Sequence, residues 1–359
     1  MTTSIAPQPS GWPVIGHDLA VSVLRRSLRS GRLAHAYLFT GPDGVGRRTL
    51  ALAFAMALNC RQQSVEDGEG PDAPCGLCSS CSRVQRGVHP DVVEVNLETQ
   101  ARALGETAGK GKVTPSKELK IDTMRQIIAT VGLSPHSGRY KVYIIGDADR
   151  LNEEASNCML KTLEEPPAHT VLVLIAQDEG LVLPTIASRC LHIPLRPLKG
   201  DVVASSLVRV WGADPDEAQL LAALSGGRLG LAVRLLHDRE AMARRRDSLQ
   251  KMSLLNNASV ADRIGAASEW AKCFTDARSD LYEMLDTWET WWRDVLMVGA
   301  SAVELVANTD QLPALKSVAS RVPLSTAVEA VALIQRTRQQ LNENVNPRLA
   351  LESLALNLP

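Results

Sequence analysis

No run of about 18 apolar residues occurs anywhere in this 359-residue chain, which excludes an ordinary transmembrane helix. The first stretch, MTTSIAPQPSGWP, lacks the charged-then-apolar pattern of a secretory signal, so the expected compartment is the cytoplasm. Charge of one sign is also missing. Lysine and arginine total 39 against 40 acidic residues, a formal net charge of −1. That excludes a wholesale basic coat for nucleic acid and leaves DNA contact to a local patch or a partner. Seven cysteines in a cytosolic chain do not make a disulfide framework, because cytosolic thiols stay reduced. What remains is an ordinary globular composition, 45% apolar and 22% charged, with length for two or three domains.

The N-terminal half alternates short apolar runs with helical patterns. His35–Thr40, Asp91–Val95, Lys141–Asp147, Thr170–Ala176 and Cys190–Leu195 are β-branched-rich and of strand length. Thr49–Asn59 is Ala/Leu-rich and predicts a helix. In Ile121–Val131, residues Met124, Ile127, Ile128 and Val131 share one helix face. Strands buried on both faces and separated by helices imply an α/β fold with a parallel sheet. Two segments break the rhythm: Arg61–Ser80 is polar and ends in cysteines, and Leu97–Glu118 reads as an exposed, mobile loop. After Pro194–Gly200 only helical periodicity continues, interrupted at Ser225–Gly230 and near Asn308–Pro313. Trp288, Trp291, Trp292 and Val295 fall on one helical face, which reads as domain core ahead of a subunit interface.

The stretch GPDGVGRRTL has the glycine spacing of a phosphate-binding loop, with Gly41 and Gly46 in place and Gly44 between them. Backbone N–H groups at the following helix would favour an anion. The functional side chains are absent. Arg47 stands in the lysine slot, a planar fork instead of a compact point charge. Arg48 stands in the hydroxyl slot that would hold magnesium, and Thr49 points about 100° away around the helix. Asp147 ends its strand as a magnesium-holding aspartate would, but Ala148 follows where a catalytic glutamate belongs, and Asp149 is one residue too far. Three losses together describe a retired ATPase, with ATP binding by this chain doubtful.

Cys75, Cys78 and Cys81 stand in C-x-x-C-x-x-C spacing, and thiolates two residues apart can meet one tetrahedral zinc. Cys60, at the end of the helix after the glycine loop, is the natural fourth ligand, with His89 as the alternative. An iron–sulfur cluster would want a nearby fourth cysteine followed by proline. Cys158, Cys190 and Cys273 are isolated and read as small buried residues.

In order, GWPVIGHDLAV, HAYLFTGPDGVGRRTLA, CGLCSSC, HPDVVEV, DADRLNEEASNCMLKTLEEPP and TIASRC resemble the AAA+ subunits of the bacterial DNA polymerase III clamp loader, the delta-prime class above all. The similarity is dense from Gly11 to about Leu198 and sparser beyond, where Trp291–Met297 and Asn344–Leu354 also fit. The resemblance implies an AAA+ P-loop-type parallel-sheet module over 1–197 with a zinc module inserted at about 60–81. It further implies a helical lid over 198–242 and an all-α collar over 243–359 that joins a five-subunit ring. It assigns structural zinc to Cys60, Cys75, Cys78 and Cys81. Arg189, in Ser188-Arg189-Cys190, takes the place of an arginine that reaches the γ-phosphate on the adjacent gamma/tau subunit. Such fingers contribute about 10³–10⁵ in rate. The implied partners are gamma/tau and delta, with sliding clamp and primer-template DNA reached through the assembled complex. In the lid, Leu229 stands where nucleotide-sensing relatives carry arginine, with Arg228 one position away. Two rivals remain: a catalytically active gamma/tau-like ATPase using Arg47 as a makeshift lysine, and a DNA-gripping zinc module. For the latter, Arg83 and Arg86 are the nearby cations, with no aromatic residue to stack on a base.

Overall fold

The structure is a computed structural model describing residues 11–62, 72–105, 107–108, 112–113, 118–255, 258–343 and 345–359. The chain forms two compact units. The first runs to Val202 and takes in Arg228–Leu231; the second comprises Val203–Gly227 and Ala232–Pro359.

The first unit contains, in order, α1 (Asp18–Ser30), β1 (Ala36–Thr40), α2 (Arg47–Asn59), α3 (Ser79–Gln85), β2 (Val92–Val95) and α4 (Leu97–Ala103). A two-residue hairpin follows, β3 (Thr107–Ala108) and β4 (Lys112–Val113), then α5 (Ile121–Val131) and β5 (Lys141–Ile145). The unit continues with α6 (Glu153–Glu164), β6 (Thr170–Ala176), α7 (Pro184–Ala187) and β7 (Leu191–Pro194). Five strands make one parallel sheet in the order β2-β5-β6-β1-β7. The strand that feeds the glycine loop therefore lies inside the sheet, between β6 and β7.

Strand alternation sorts the core into two layers. Tyr37 and Phe39 of β1 join Val142, Ile144, Val171 and Val173 on one face, against Leu50, Phe54 and Leu58 of α2 and Leu24 and Leu28 of α1. Leu38 joins Tyr143, Ile145, Leu172 and Leu174 on the other, against Met124, Ile127 and Val131 of α5 and Met159 and Leu163 of α6. Every residue of β1 and β6 is buried. Burial on both faces does not extend to the edges. Val93 of β2 and Leu191 of β7 are exposed, because the helical layers cover the middle of the sheet and not its margins.

Leu97–Glu118 is not a loop throughout, as its weak apolar content suggests. Its first seven residues are α4, started by a capping box in which the Asn96 side chain accepts from Thr99 N–H and Thr99 Oγ1 accepts from Asn96 N–H. Gln100 is buried. Its amide donates to Glu118 O, and its carbonyl accepts from Lys120 N–H and Thr123 Oγ1. Polar capping and one buried amide replace the apolar stripe that sequence reading relies on. Residues 106, 109–111 and 114–117 of that segment lie outside the described residues, as do 63–71 of Arg61–Ser80.

From Gly200 on, the chain is helical: α8 (Gly200–Trp211), α9 (Pro215–Ser225), α10 (Leu229–His237), α11 (Ala241–Leu255), α12 (Val260–Asp276), α13 (Arg278–Gly299), α14 (Leu312–Ala319), α15 (Leu324–Asn342) and α16 (Pro347–Asn357). In the second unit, Trp288, Trp291, Trp292 and Val295 of α13 are buried in the core with Trp270 of α12, Ile334 of α15 and Leu351 and Leu354 of α16. Trp288 is fully enclosed, stacks edge-on against Trp270 at 5.0 Å between ring centroids, and donates from Nε1 to Ser248 O at 2.7 Å. The tryptophan stripe is thus core. Among the described residues, no helix is long and apolar enough to cross a membrane.

Candidate functional site

The glycine loop connects β1 to the N-terminus of α2. Gly41, Gly44 and Gly46 all have positive φ. At Gly41 the need is absolute, since a Cβ would lie 2.2 Å from Leu195 O of the chain following β7. His17 Nε2 bonds Val45 O at 2.9 Å, and Gly230 N–H donates to Gly44 O at 2.7 Å, so neighbouring segments hold the loop from outside. A Cβ on Gly230 would meet Gly44 O at 2.8 Å, which makes glycine the residue that allows this approach.

The two arginines are turned toward the chain's own acids. The Arg47 side chain is only 11% exposed and lies 3.8 Å from Asp43 Oδ1. Burial holds its guanidinium below the usual range, and Asp43, Asp149 and Asp147 oppose that shift electrostatically. Arg48 donates from Nε to Glu94 Oε1 and from Nη2 to Glu94 Oε2, the second at 2.7 Å, a bidentate pair with β2. That pairing raises the Arg48 pKa. Asp147 sits just past β5 in a left-handed conformation, φ 52°, and its Oδ2 accepts from Leu97 N–H at 3.1 Å. Burial pushes its carboxyl up and Asp149 adds to this, while the Leu97 N–H, Arg47 and Arg150 pull it down. Ala148, in the glutamate slot, is buried.

The cysteines converge as their spacing predicts. The Sγ atoms of Cys60, Cys75, Cys78 and Cys81 all lie within 4.8 Å of one another. Cys60 to Cys78 is 4.0 Å and Cys75 to Cys81 is 3.9 Å. Four thiolates about 2.3 Å from a tetrahedral metal would stand about 3.8 Å apart, so the donor set fits such an ion. Cys60 caps the C-terminus of α2, and Cys78 caps α3, where Cys81 lies in the first turn. Backbone N–H groups of Cys78 and Cys81 point at the sulfurs of Cys75 and Cys78, at 3.3 and 3.5 Å. Burial raises Cys78, but N–H groups of Cys81 and Arg61 and the neighbouring thiols outweigh it and bring it down to about 6. Burial pushes Cys60 and Cys81 up. His89 is engaged elsewhere: Nε2 bonds Ser80 Oγ at 3.1 Å and Nδ1 accepts from Asp91 N–H at 3.1 Å.

Arg189 stands beyond α7, just before β7. Its Nη1 donates to Thr185 O at 2.8 Å and its Nη2 to Glu164 Oε1 at 2.7 Å, with the side chain 35% exposed. The structure therefore assembles the cysteines into one cluster and sets Arg47 beside Asp43, while Arg48 and Arg189 each lean on a carboxylate. Sequence reading missed both carboxylates, Glu94 and Glu164. It also missed the chain Thr40 Oγ1–His192 Nε2 (2.7 Å) and His192 Nδ1–Glu179 Oε2 (3.1 Å) that ties β1 to β7. A glutamate inside the apolar run Val92–Val95 was the one available signal for Glu94.

The family model described as "DNA polymerase III, delta subunit" matches residues 16–199, and "DNA polymerase III, delta subunit, C terminal" matches residues 240–359. The chain is 27% identical over 339 residues to DNA polymerase III subunit delta' of Bacillus subtilis, covering 94% of each protein. It is 30% identical over 227 residues to DNA polymerase III subunit tau of Salmonella typhimurium, covering 62% of this chain. It spans about a third of the length of that tau subunit and of the one from Escherichia coli. Among solved structures, a gamma subunit-related protein of Thermotoga maritima overlaps 94% of this chain and 98% of its own at 17% identity, with a TM-score of 0.44. The chain belongs to the DNA polymerase III delta-subunit family of clamp-loader proteins.

Proposed function

We propose that this chain is the delta-prime-like stationary subunit of a bacterial replicative clamp loader. It would help place the sliding clamp on primed DNA in the cytoplasm and hydrolyse no ATP itself. The observation that carries this reading is the state of the glycine loop. Arg47 lies 3.8 Å from Asp43 and feels the negative charge of Asp147 and Asp149, Arg48 is committed to Glu94, and the glutamate slot is a buried alanine. In the same chain Arg189 presents a partly exposed guanidinium next to the sheet margin, suited to a neighbour's nucleotide.

In this reading Arg189 acts in trans on a gamma/tau subunit, and Cys60, Cys75, Cys78 and Cys81 hold a structural zinc that clamps α3 to the end of α2. The lid is 198–242 and the collar 243–359, the latter joining gamma/tau and delta. Clamp and primer-template are met through the assembled complex.

The test is ATP turnover, with clamp and primed DNA, by a reconstituted complex carrying Arg189→Ala in this subunit, its assembly verified by gel filtration. A steep fall with the complex intact supports the assignment. Unchanged turnover overturns it and returns attention to the glycine loop as an ATPase of its own.

A further inference from the structure

The arginine assigned above to a neighbour's nucleotide is held by this chain's own glutamate. Glu164 is the last residue of α6, and its carboxylate receives Nη2 of Arg189 at 2.7 Å across 25 residues of sequence. The other contact, Nη1 to Thr185 O, is local. Arg189 closes the turn that α7 begins, its own N–H bonding Ile186 O at 3.0 Å. The two contacts differ in what they can do. The Thr185 carbonyl travels with Arg189 and keeps the side chain extended along the turn. Glu164 belongs to another helix and competes for the same fork that a phosphate would take. Both side chains are open to water, 35% exposed for Arg189 and 51% for Glu164, so the pair is cheap to open.

We propose that Glu164 is a positioning residue: it docks the Arg189 guanidinium in the resting subunit and surrenders it when a neighbouring triphosphate arrives. This rests on the trans-arginine reading above. A triphosphate offers several negative charges and bidentate oxygens where Glu164 offers one charge and, in the resting pair, one oxygen, so the exchange runs toward nucleotide. While the nucleotide is absent or misplaced, the guanidinium is screened and its rotamer held.

An exposed pair of this kind biases the arginine by up to about fivefold. The experiment uses the reconstituted clamp loader and measures kcat and KM for ATP without clamp or DNA, for wild type, Glu164→Gln, Glu164→Asp and Arg189→Ala in this subunit, and for Glu164→Gln combined with Arg189→Ala. Circular dichroism melting of each variant chain and gel filtration of each complex confirm folding and assembly. The expected result is a KM for ATP lowered about two- to fivefold by Glu164→Gln with kcat unchanged. Glu164→Asp, which keeps the charge, returns KM toward wild type, and Arg189→Ala cancels the effect of Glu164→Gln. If Arg189→Ala lowers turnover while Glu164→Gln leaves KM unchanged, or lowers kcat along with folding, the docking role is overturned and the finger stands. If Arg189→Ala itself leaves turnover unchanged, the finger falls and the docking role with it.

Discussion

Arg48 and Glu94 join the first turn of α2 to strand β2 through two parallel hydrogen bonds, the Nη2–Oε2 one 2.7 Å long. An arginine in a magnesium-ligand position has thus become a tie between helix and sheet. Glu94→Ala should destabilise the chain by about 0.5–1 kcal/mol, the range for a half-exposed bidentate pair, measured by urea unfolding. Glu94→Ala should not create nucleotide binding, because Arg47 and Arg48 still fill the lysine and hydroxyl slots and Ala148 the glutamate slot. Saturable ATP binding by the wild-type chain in isothermal calorimetry would contradict this reading of the loop.

The cysteine cluster makes a stoichiometric prediction. The purified chain should carry one zinc by elemental analysis, and Cys81→Ser should abolish it and lower Tm. Adding zinc to chelated protein at pH 7 should release at least two protons, because Cys60 and Cys81 are held above the usual thiol range. Cys78, near 6, is mostly thiolate already at that pH. Affinity should therefore fall as the solution is acidified. Proton release is read by a pH indicator in weak buffer, and metal binding without it would refute the assignment.

Asp91 is buried, and its carboxylate accepts N–H groups from His136 at 2.6 Å, Ser137 at 2.7 Å and Gly138 at 2.7 Å. Burial raises its pKa, but these three donors together with the Ser137 hydroxyl outweigh burial and hold it below the ordinary carboxylate value. The sign follows from that depression. The stabilisation is fully present above the unfolded value of about 4 and is lost as pH falls through the lower folded value. Asp91→Asn should cost about 2–3 kcal/mol at pH 7, since an amide cannot accept all three donors. The difference in stability between variant and wild type should shrink on acidification below pH 4. An unchanging difference would show that packing, and not the charge, is what Asp91 contributes.

Trp288 is enclosed within the second unit and bonded to Ser248 O. Trp288→Phe removes that hydrogen bond and part of the ring packing and should cost about 1–3 kcal/mol, while Trp288→Ala should cost about 3–5 kcal/mol. Chemical denaturation followed by far-ultraviolet circular dichroism distinguishes these values from the near-zero change expected of a side chain waiting for a partner.

Much of this molecule is written in local pattern. Alternating apolar strands, the Ala-rich helix after the glycine loop and the Met124-Ile127-Val131 face predict the parallel sheet and its neighbours, because period and β-branching report burial directly. The cysteine spacing predicts its cluster for a similar reason: two-residue separations confine sulfurs to one turn, and only Cys60 had to come from elsewhere. The absence of lysine, hydroxyl and glutamate from the nucleotide slots is likewise visible without coordinates. Which groups the arginines meet is not. The partners of Arg48 and Arg189 are carboxylates on other elements, 46 and 25 residues away in sequence, and an ion pair leaves no periodicity to detect. Helix α4 escaped notice because a capping box and the buried amide of Gln100 hold it in place of an apolar stripe. Strand order and the approach of Gly230 to Gly44 are long-range outcomes of packing. The sequence alone determined which elements form and which chemistry was lost. Tertiary structure decided which charges meet, because only folding brings distant side chains within hydrogen-bonding reach.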